Sequence, residues 1–177
     1  MNTITIKQYH DKIDKLIDQS YIDSPPVKPP KSMAKSRGIR WGKQAEPAAI
    51  YFLDKHPSVK QVRTQVRFRP VGGLSCIDIV LDMQNGAVVY VPVVKDSWGG
   101  TAQVDRLELL YAKYEGKLIE NYNVCFLIGK DYKARLKRTF QKGTIKEVLI
   151  NEELQELADA NIVHNIETLW EHLHTFK

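Results

Sequence analysis

The dipeptide Asn85-Gly86, set between apolar runs at 74–81 and 87–94, is the feature that most constrains how this chain can fold. Asn-Gly favours the two-residue turn of a β-hairpin because both central positions must take positive φ angles. The two runs are long enough to form its antiparallel strands. Around this hairpin, apolar periodicity predicts further helices at 6–22, 46–55 and 101–114, further strands at 62–69 and 122–129, and two short helices after residue 150.

This order of elements predicts a three-layer α/β fold, with helices on both faces of a central mixed β-sheet. The 177 residues correspond to one domain, whose core at this length needs no disulfide or metal. Residues 43–177 are predicted to form that domain. Residues 1–42 are predicted to be a helix followed by a basic, proline-rich extended arm, because the prolines between 25 and 30 cannot continue a helix.

The composition is that of a globular protein, with 43% apolar and 27% charged residues. No apolar stretch approaches the length of a membrane span, and the N-terminus lacks the apolar core of a secretion signal. We therefore expect a cytoplasmic protein without a membrane partner. Cys76 and Cys125 lie in apolar runs and are predicted to be buried thiols. The spacing of His164, His172 and His174 does not indicate a zinc site.

Positive charge is concentrated in two segments of the chain. Residues 28–69 hold 11 Lys and Arg against Glu46 and Asp54, and residues 130–146 hold seven against one acid. The first segment carries +9, whereas the net charge of the whole chain is only +5, so the chain outside residues 28–69 is slightly acidic. Such segregation is expected of a protein that binds a polyanion, although a solvated basic face without a partner has the same pattern.

The predicted hairpin also brings two charged residues together. A two-residue loop places Asp78 opposite Val93, and Lys95 then projects from the same face one pair further along. A carboxylate inside one apolar strand and an ammonium at the end of the next are costly to bury without partners. Their proximity predicts a functional site at the open end of the hairpin. An ion pair at the rim of the sheet is the alternative.

An aspartate on one strand, a turn, and a lysine that closes the next strand resemble the core of the PD-(D/E)XK phosphodiesterases. This is the fold of most Type II restriction endonucleases, and the resemblance covers residues 46–129. It implies that Asp78 and a second acid bind Mg²⁺, while Lys95 orients and activates the attacking water.

The second acid departs from the family pattern, because Val93 stands two residues before Lys95 and valine cannot ligate Mg²⁺. Some members carry this acid on the following helix, and Glu108 has the matching spacing, with twelve residues between it and Lys95. Glu46 is a further candidate, since many nucleases of this fold carry a glutamate on the helix before the hairpin. The alternatives are a surface position for Glu108 and a helix-dipole interaction for Glu46.

The resemblance implies a metal-dependent hydrolysis of DNA. Mg²⁺ held by Asp78, Glu108 and a main-chain carbonyl near Val94 would polarise the scissile phosphate and lower the pKa of its water. Lys95 would stabilise the hydroxide and the charge that builds on the phosphate oxygens. The products would carry a 5′-phosphate and a 3′-hydroxyl.

Contacts to double-stranded DNA are predicted before and after the hairpin. The cations of the arm suit phosphate groups, and the loop and helix after Lys95 carry side chains compatible with base edges. A twofold homodimer would match a palindromic site, because one chain has one active site. The predicted contact residues are Lys31, Lys35, Arg37, Arg40, Trp41, Lys43, Ser97, Trp98, Gln103, Asp105 and Arg106.

Three functions follow from these features. The first is a Mg²⁺-dependent, site-specific DNA endonuclease of the Type II restriction class. The second is a junction-resolving or repair nuclease of the same fold. The third, suggested by Val93, is a catalytically inactive nucleic-acid-binding module. Cleavage of plasmid DNA in the presence of Mg²⁺ separates the third function from the other two.

Overall fold

The computed structural model describes residues 3–29, 31–68, 75–92, 94–95, 123–128 and 163–176. Within these ranges the chain forms three α-helices and a mixed, open β-sheet arrangement, which confirms the predicted α/β class. The helices are α1 (Ile6–Asp23), α2 (Met33–Leu53) and α3 (Ile166–Leu173). The strands are β1 (Val59–Phe68), β2 (Ser75–Met83), β3 (Val88–Val91), β4 (Val94–Lys95), β5 (Asn123–Val124), β6 (Phe126–Ile128) and β7 (Val163–His164).

The strands form two hydrogen-bonded sheets. In the first, β1, β2 and β3 are antiparallel neighbours and β5 runs parallel to β3; in the second, β4, β6 and β7 are parallel. β3 and β4 are separated by two residues, of which Pro92 has no N–H to donate to a neighbouring strand. β5 and β6 are separated by Cys125 alone. The strand predicted at 122–129 is therefore confirmed, in two short pieces.

The hairpin between β2 and β3 forms, but the prediction of a two-residue loop is wrong. The Met83 N–H donates to the Ala87 carbonyl at 2.8 Å, so that three residues lie in the loop. Gly86, the last of them, has a φ of 88°, the left-handed conformation that closes such a loop. The observed register, extended by one pair, places Asp78 opposite the residue before Val93.

The first helix belongs to the core of the fold. α1 begins after Thr5, whose side chain accepts the N–H of Gln8 in a capping box. Ile13 and Ile17 are fully buried, and Leu16 packs beside them, as the predicted apolar stripe requires. α1 is therefore held by the same core as the sheet.

The second helix is much longer than predicted. It begins at Met33, after the cap residue Ser32, and not near Glu46. Pro47 consequently lies inside the helix instead of in its first turn. Five buried residues in the second half of α2 offset the cost of an internal proline, about 3 kcal/mol. The predicted extended arm is helical from Met33 onward, and the predicted boundary between 42 and 43 falls inside α2.

The core lies between the three helices and one face of the strands. Ile79 and Leu81 of β2 point to this face and pack in one cluster with residues of α1, α2 and α3. Val80 and Phe126 point to the opposite face of the strands, because successive side chains alternate between faces. They are nevertheless buried, with exposures of 0% and 1%. The strands are therefore buried on both faces at these positions.

Candidate functional site

Gln65 occupies a strained position within β1. Its φ is 50°, the one positive value among the non-glycine residues that the structure describes. A left-handed backbone costs a residue with a Cβ about 1–3 kcal/mol. The register of β1 against β2 places Gln65 beside Asp78, next to the Thr64–Ile79 pair. Such strain persists only where the surroundings hold it, and it concentrates at functional sites.

The side-chain amide of Gln65 links two of the predicted acids. Its Nε2 lies 2.9 Å from Oε1 of Glu46 on α2 and 3.4 Å from Oδ1 of Asp78 on β2. Both carboxylates therefore lie within hydrogen-bonding distance of one nitrogen, although they come from different elements. Carboxylate oxygens are the ligands that Mg²⁺ prefers.

The other oxygen of Asp78 is bound by the main chain of β4. The Val94 N–H donates to Oδ2 at 3.2 Å, and Lys95 follows directly in the chain. Val94 was predicted to contribute its carbonyl to a metal, whereas the contact seen here uses its N–H. The main chain of Lys95 pairs with Ile128 in β6, which fixes this end of the strand.

The chain around Pro92 compensates for the shifted hairpin loop. Val91 and Val94 both belong to the core cluster, although residues three apart in a regular strand point to opposite faces. The predicted register placed Val94 on the core face of the sheet. The irregular stretch between Val91 and Val94 returns Val94 to that face, although the hairpin loop is one residue longer than predicted. The loop and this irregularity together keep Asp78 next to β4.

Several predicted site residues lie outside the described residues. They include Glu108, the proposed displaced acid, and the basic segment at 130–146. The side chain of Lys95 lies outside them as well. The same applies to the predicted base-contacting residues Ser97, Trp98, Gln103, Asp105 and Arg106.

An open cleft of about 610 Å³ lies between the end of α1 and the first half of α2. Four of the predicted DNA-contacting cations line it: Lys31, Lys35, Arg40 and Lys43. Four serines contribute hydroxyl groups, and among the described residues no carboxylate belongs to the lining. Cations and hydroxyls are the side chains that contact phosphate oxygens. Lys43 stands one helical turn before Glu46, so the cleft leads towards the paired acids.

Three of the predicted contact residues are engaged within the fold. Arg40 lines the cleft but donates to the Ser20 hydroxyl and to the Ser24 carbonyl, both at 3.0 Å, and its guanidinium lies over the Tyr21 ring. Arg37 bonds Asp18 at 2.9 Å and Asp14 at 3.1 Å, and these bonds raise the pKa of its guanidinium. Trp41 packs against the core, and its ring meets that of His10 edge-on with 5.1 Å between centroids. These contacts fasten α2 to α1.

A second group of reactive side chains was not anticipated from the sequence. Cys125, His164 and His172 each offer one ligand atom, and these atoms lie within 4.8 Å of one another. No other group of three such side chains comes this close within the described ranges. Burial raises the pKa of the Cys125 thiol to about 12 and lowers the pKa of His172. The sequence shows no short metal-binding motif for Cys125, His164 and His172, because the three residues come from separate elements.

Comparison of the chain with protein families, with curated proteins and with solved structures gave no match. In the part of the chain that the structure describes, no helix combines the length and apolar character needed to cross a membrane.

Proposed function

We propose that the protein is a Mg²⁺-dependent endonuclease of the Type II restriction class, which hydrolyses double-stranded DNA to 5′-phosphate and 3′-hydroxyl ends. One observation carries the proposal: Glu46 and Asp78 meet at the Gln65 amide, and Asp78 also binds the strand that ends at Lys95. Glu46, Asp78 and Lys95 are three of the four residues that the PD-(D/E)XK resemblance selects, the fourth being Glu108. Glu46 comes from a helix that precedes the hairpin, so its contact with Asp78 through Gln65 is not a consequence of local structure.

In this proposal, Glu46 supplies the carboxylate that is missing at Val93. Its Oε1 is bound to the same amide nitrogen as Asp78. Mg²⁺ in enzymes is commonly held by one or two protein carboxylates and completes its shell with water and substrate oxygens. Glu46 and Asp78 therefore meet the requirement by themselves, and Glu108 becomes an additional rather than a necessary ligand.

Each side chain then has a distinct task. Glu46 and Asp78 hold the ion, and the Val94 N–H keeps the Asp78 carboxylate in its orientation. Mg²⁺ bound there supplies Lewis acidity at the scissile phosphate and lowers the pKa of a water. Lys95 orients that water and balances the negative charge that develops on the phosphate oxygens.

The basic cleft supports DNA as the substrate. Lys31, Lys35 and Lys43 contact phosphate groups in this proposal, and Lys43 leads the DNA backbone towards Glu46. Arg37, Arg40 and Trp41 take no part, because their contacts fasten α2 to α1. The burial of Val80 and Phe126 on the face opposite the helices supports a three-layer arrangement of the restriction-endonuclease type. A homodimer would cut both strands of a symmetric site.

Digestion of supercoiled plasmid by the purified protein tests the proposal. We expect discrete fragments with Mg²⁺ and none with EDTA. Asp78→Asn and Glu46→Gln should each slow cleavage at least about 100-fold, because they remove a metal ligand. Asp82→Asn is the matched control: Asp82 lies on the same strand, where it pairs with Arg63 at 2.8 Å, and its loss should leave cleavage unchanged.

The outcome separates the three functions. Plasmid fragments of defined size support the restriction-type enzyme, and sequencing of the fragment ends gives the recognition site. Cleavage confined to branched DNA would replace it with a junction-resolving enzyme. Binding without cleavage by the wild-type protein would replace both with a binding module.

A further inference from the structure

We propose that Cys125, His164 and His172 form a binding site for a single transition-metal ion of the zinc type. Their ligand atoms lie within 4.8 Å of one another. Thiolate sulfur and imidazole nitrogen are the ligands that zinc selects, whereas Mg²⁺ requires oxygen. This site shares no residue with the pair formed by Glu46 and Asp78, so it is independent of the proposed nuclease activity.

Three separate elements build the site. Cys125 lies between β5 and β6 and is 1% exposed, and His164 in β7 is 5% exposed. The parallel pairing of Leu127 with His164 holds these two strands side by side. His172 on α3 stacks on His164, with 5.0 Å between ring centroids and 24° between ring planes. A cysteine and two histidines from separate parts of the chain are thus held together inside the fold.

The spacing is compatible with tetrahedral coordination. Bonds of about 2.3 Å to sulfur and 2.0 Å to nitrogen place neighbouring ligand atoms about 3.5 Å apart. The distances between the three ligand atoms therefore need to shorten by roughly 1 Å when an ion binds. Rotation of the imidazole of His172 provides such a movement, because this residue is only half-buried. The same partial exposure lets a water occupy the fourth position.

Thr168 orients His164 for this role. Nδ1 of His164 lies 3.2 Å from the Thr168 hydroxyl, which is also 3.2 Å from the Asn165 carbonyl. In the proposed site the hydroxyl donates to that carbonyl and accepts from Nδ1–H of His164. A proton on Nδ1 leaves the ring lone pair on Nε2. Metal-binding histidines almost always donate their other ring nitrogen to an oxygen in this way. Thr168 is therefore a positioning residue for the site.

An ion at this site would join α3 to the sheet. His172 belongs to the helix, while Cys125 and His164 belong to the strands that the helix covers. An ion bound only in the native state stabilises that state. The proposed role is thus structural, with zinc expected to raise the melting temperature of the full chain.

Cobalt substitution tests the proposal directly. The full chain is treated with EDTA, dialysed and titrated with Co²⁺. We expect a thiolate-to-cobalt charge-transfer band and the visible absorption of tetrahedral Co²⁺, both saturating at one ion per chain and both displaced by Zn²⁺. Cys125→Ser should abolish the charge-transfer band, because it removes the thiolate, and His172→Gln should abolish the tetrahedral Co²⁺ spectrum. Each variant should weaken zinc binding at least about 100-fold.

Matched variants identify the ligands. Cys76→Ser removes the other thiol of the sequence, and His174→Gln removes a histidine beside the same helix; both should keep the wild-type spectrum. Asp78→Asn should keep it too, which separates this site from the nuclease centre. His172→Gln guards against a failure of the buried Cys125→Ser variant to fold, and circular dichroism checks both. No stoichiometric Co²⁺ band, a band that survives in both Cys125→Ser and His172→Gln, or its loss in Asp78→Asn would overturn the proposal.

Discussion

At the scale of single residues, Gln65 connects backbone strain to the paired acids. Its positive φ directs the amide so that Nε2 lies between Oε1 of Glu46 and Oδ1 of Asp78. An amide donor between two carboxylates reduces their repulsion when no cation is bound. The strain at Gln65 is thus coupled to the geometry that the proposed metal site needs.

Substitution of Gln65 by glycine and by alanine separates these two effects. Both changes remove the amide, but only glycine adopts a φ of 50° without a steric cost. Gln65→Gly should therefore have a free energy of unfolding about 1 kcal/mol higher than that of Gln65→Ala. Urea unfolding of the two variants measures the difference. Equal stability would show that this backbone is not strained in solution.

The identity of the second acid is also decided by single residues. Glu46→Gln should slow Mg²⁺-dependent cleavage as strongly as Asp78→Asn, since both carboxylates hold the ion in the proposed site. Glu108→Gln should have a smaller effect if Glu108 is an additional ligand. Single-turnover cleavage rates at saturating Mg²⁺ provide the comparison. A large loss in Glu108→Gln together with normal cleavage by Glu46→Gln would return the role to Glu108.

At the scale of elements, α1 and α3 are fastened to the ends of α2. Arg37 ties α1 to α2 through Asp14 and Asp18. At the other end of α2, His56 accepts the N–H of Ser58 at 3.0 Å through Nδ1. Nε2 is therefore the protonated nitrogen, and it donates to the Trp170 carbonyl of α3 at 3.0 Å. Both flanking helices are consequently part of one cooperative core.

A core role for α1 can be measured by truncating two isoleucines of the same helix. Ile17 is fully buried, whereas Ile22 is 74% exposed. Ile17→Ala should lower the free energy of unfolding by about 2–5 kcal/mol, since it removes buried methyl groups and leaves a cavity. Ile22→Ala should change it by less than about 0.5 kcal/mol. Similar values for both variants in urea unfolding would mean that α1 is detachable.

The link between His56 and α3 should make stability depend on pH. Burial lowers the pKa of His56 to about 4, and the nearby His174 acts in the same direction. The unfolded chain takes up this proton near pH 6.5, so the stabilisation is complete above pH 6.5 and is lost as the pH falls towards 4. The loss is about 3 kcal/mol at most.

Urea unfolding between about pH 7 and pH 4.5 tests this dependence in the wild type and in His56→Gln. The variant should be less stable at neutral pH and should lose less stability on acidification, because glutamine has no proton to gain. Ile22→Ala, which changes an exposed and non-titrating residue of α1, serves as a control and should retain the wild-type dependence. Parallel curves for the wild type and His56→Gln would contradict the assignment.

At the scale of the whole molecule, charge is distributed so that one open cleft is basic. Lys31, Lys35 and Lys43 line it together with Arg40, and no carboxylate does so in the part of the chain that the structure describes. Cations that contact phosphates release counterions, so DNA affinity should fall as salt rises, with a logarithmic slope of about 0.9 per contact. The cleft therefore predicts a specific change in salt dependence when its charges are removed.

Replacement of Lys31, Lys35 and Lys43 by glutamine should reduce the magnitude of this slope by about 2.7. The measurement is fluorescence anisotropy of a labelled duplex over a series of salt concentrations, in the Asp78→Asn background to prevent cleavage. Lys7→Gln is the control, because Lys7 pairs with Asp11 at the opposite end of α1. An unchanged slope in the triple variant would show that the cleft does not contact DNA.

The sequence by itself determined the features that depend on short-range patterns. The apolar stripe of α1 with Ile13 and Ile17, the hairpin at Asn85-Gly86 and the buried strand at 122–129 follow from periodicity and turn chemistry within a few residues. The candidates Glu46, Asp78 and Lys95 were also found there, because a family motif is a local arrangement of residue types.

Only the tertiary structure decided how these pieces meet. The extra residue in the hairpin loop shifts the strand register by one, and the irregular stretch at Pro92 shifts the side chains back, so that Val94 still faces the core. This compensation is visible only when both strands are packed in the core. The length of α2 depends on its packing against α1, which overrides the breaking effect of Pro47. Glu46 contacts Asp78 through Gln65, and Cys125 meets two histidines. Both contacts join segments that are distant in the sequence, and no residue spacing predicts them. Their geometry arises from strand register and helix docking, which long-range packing energies determine.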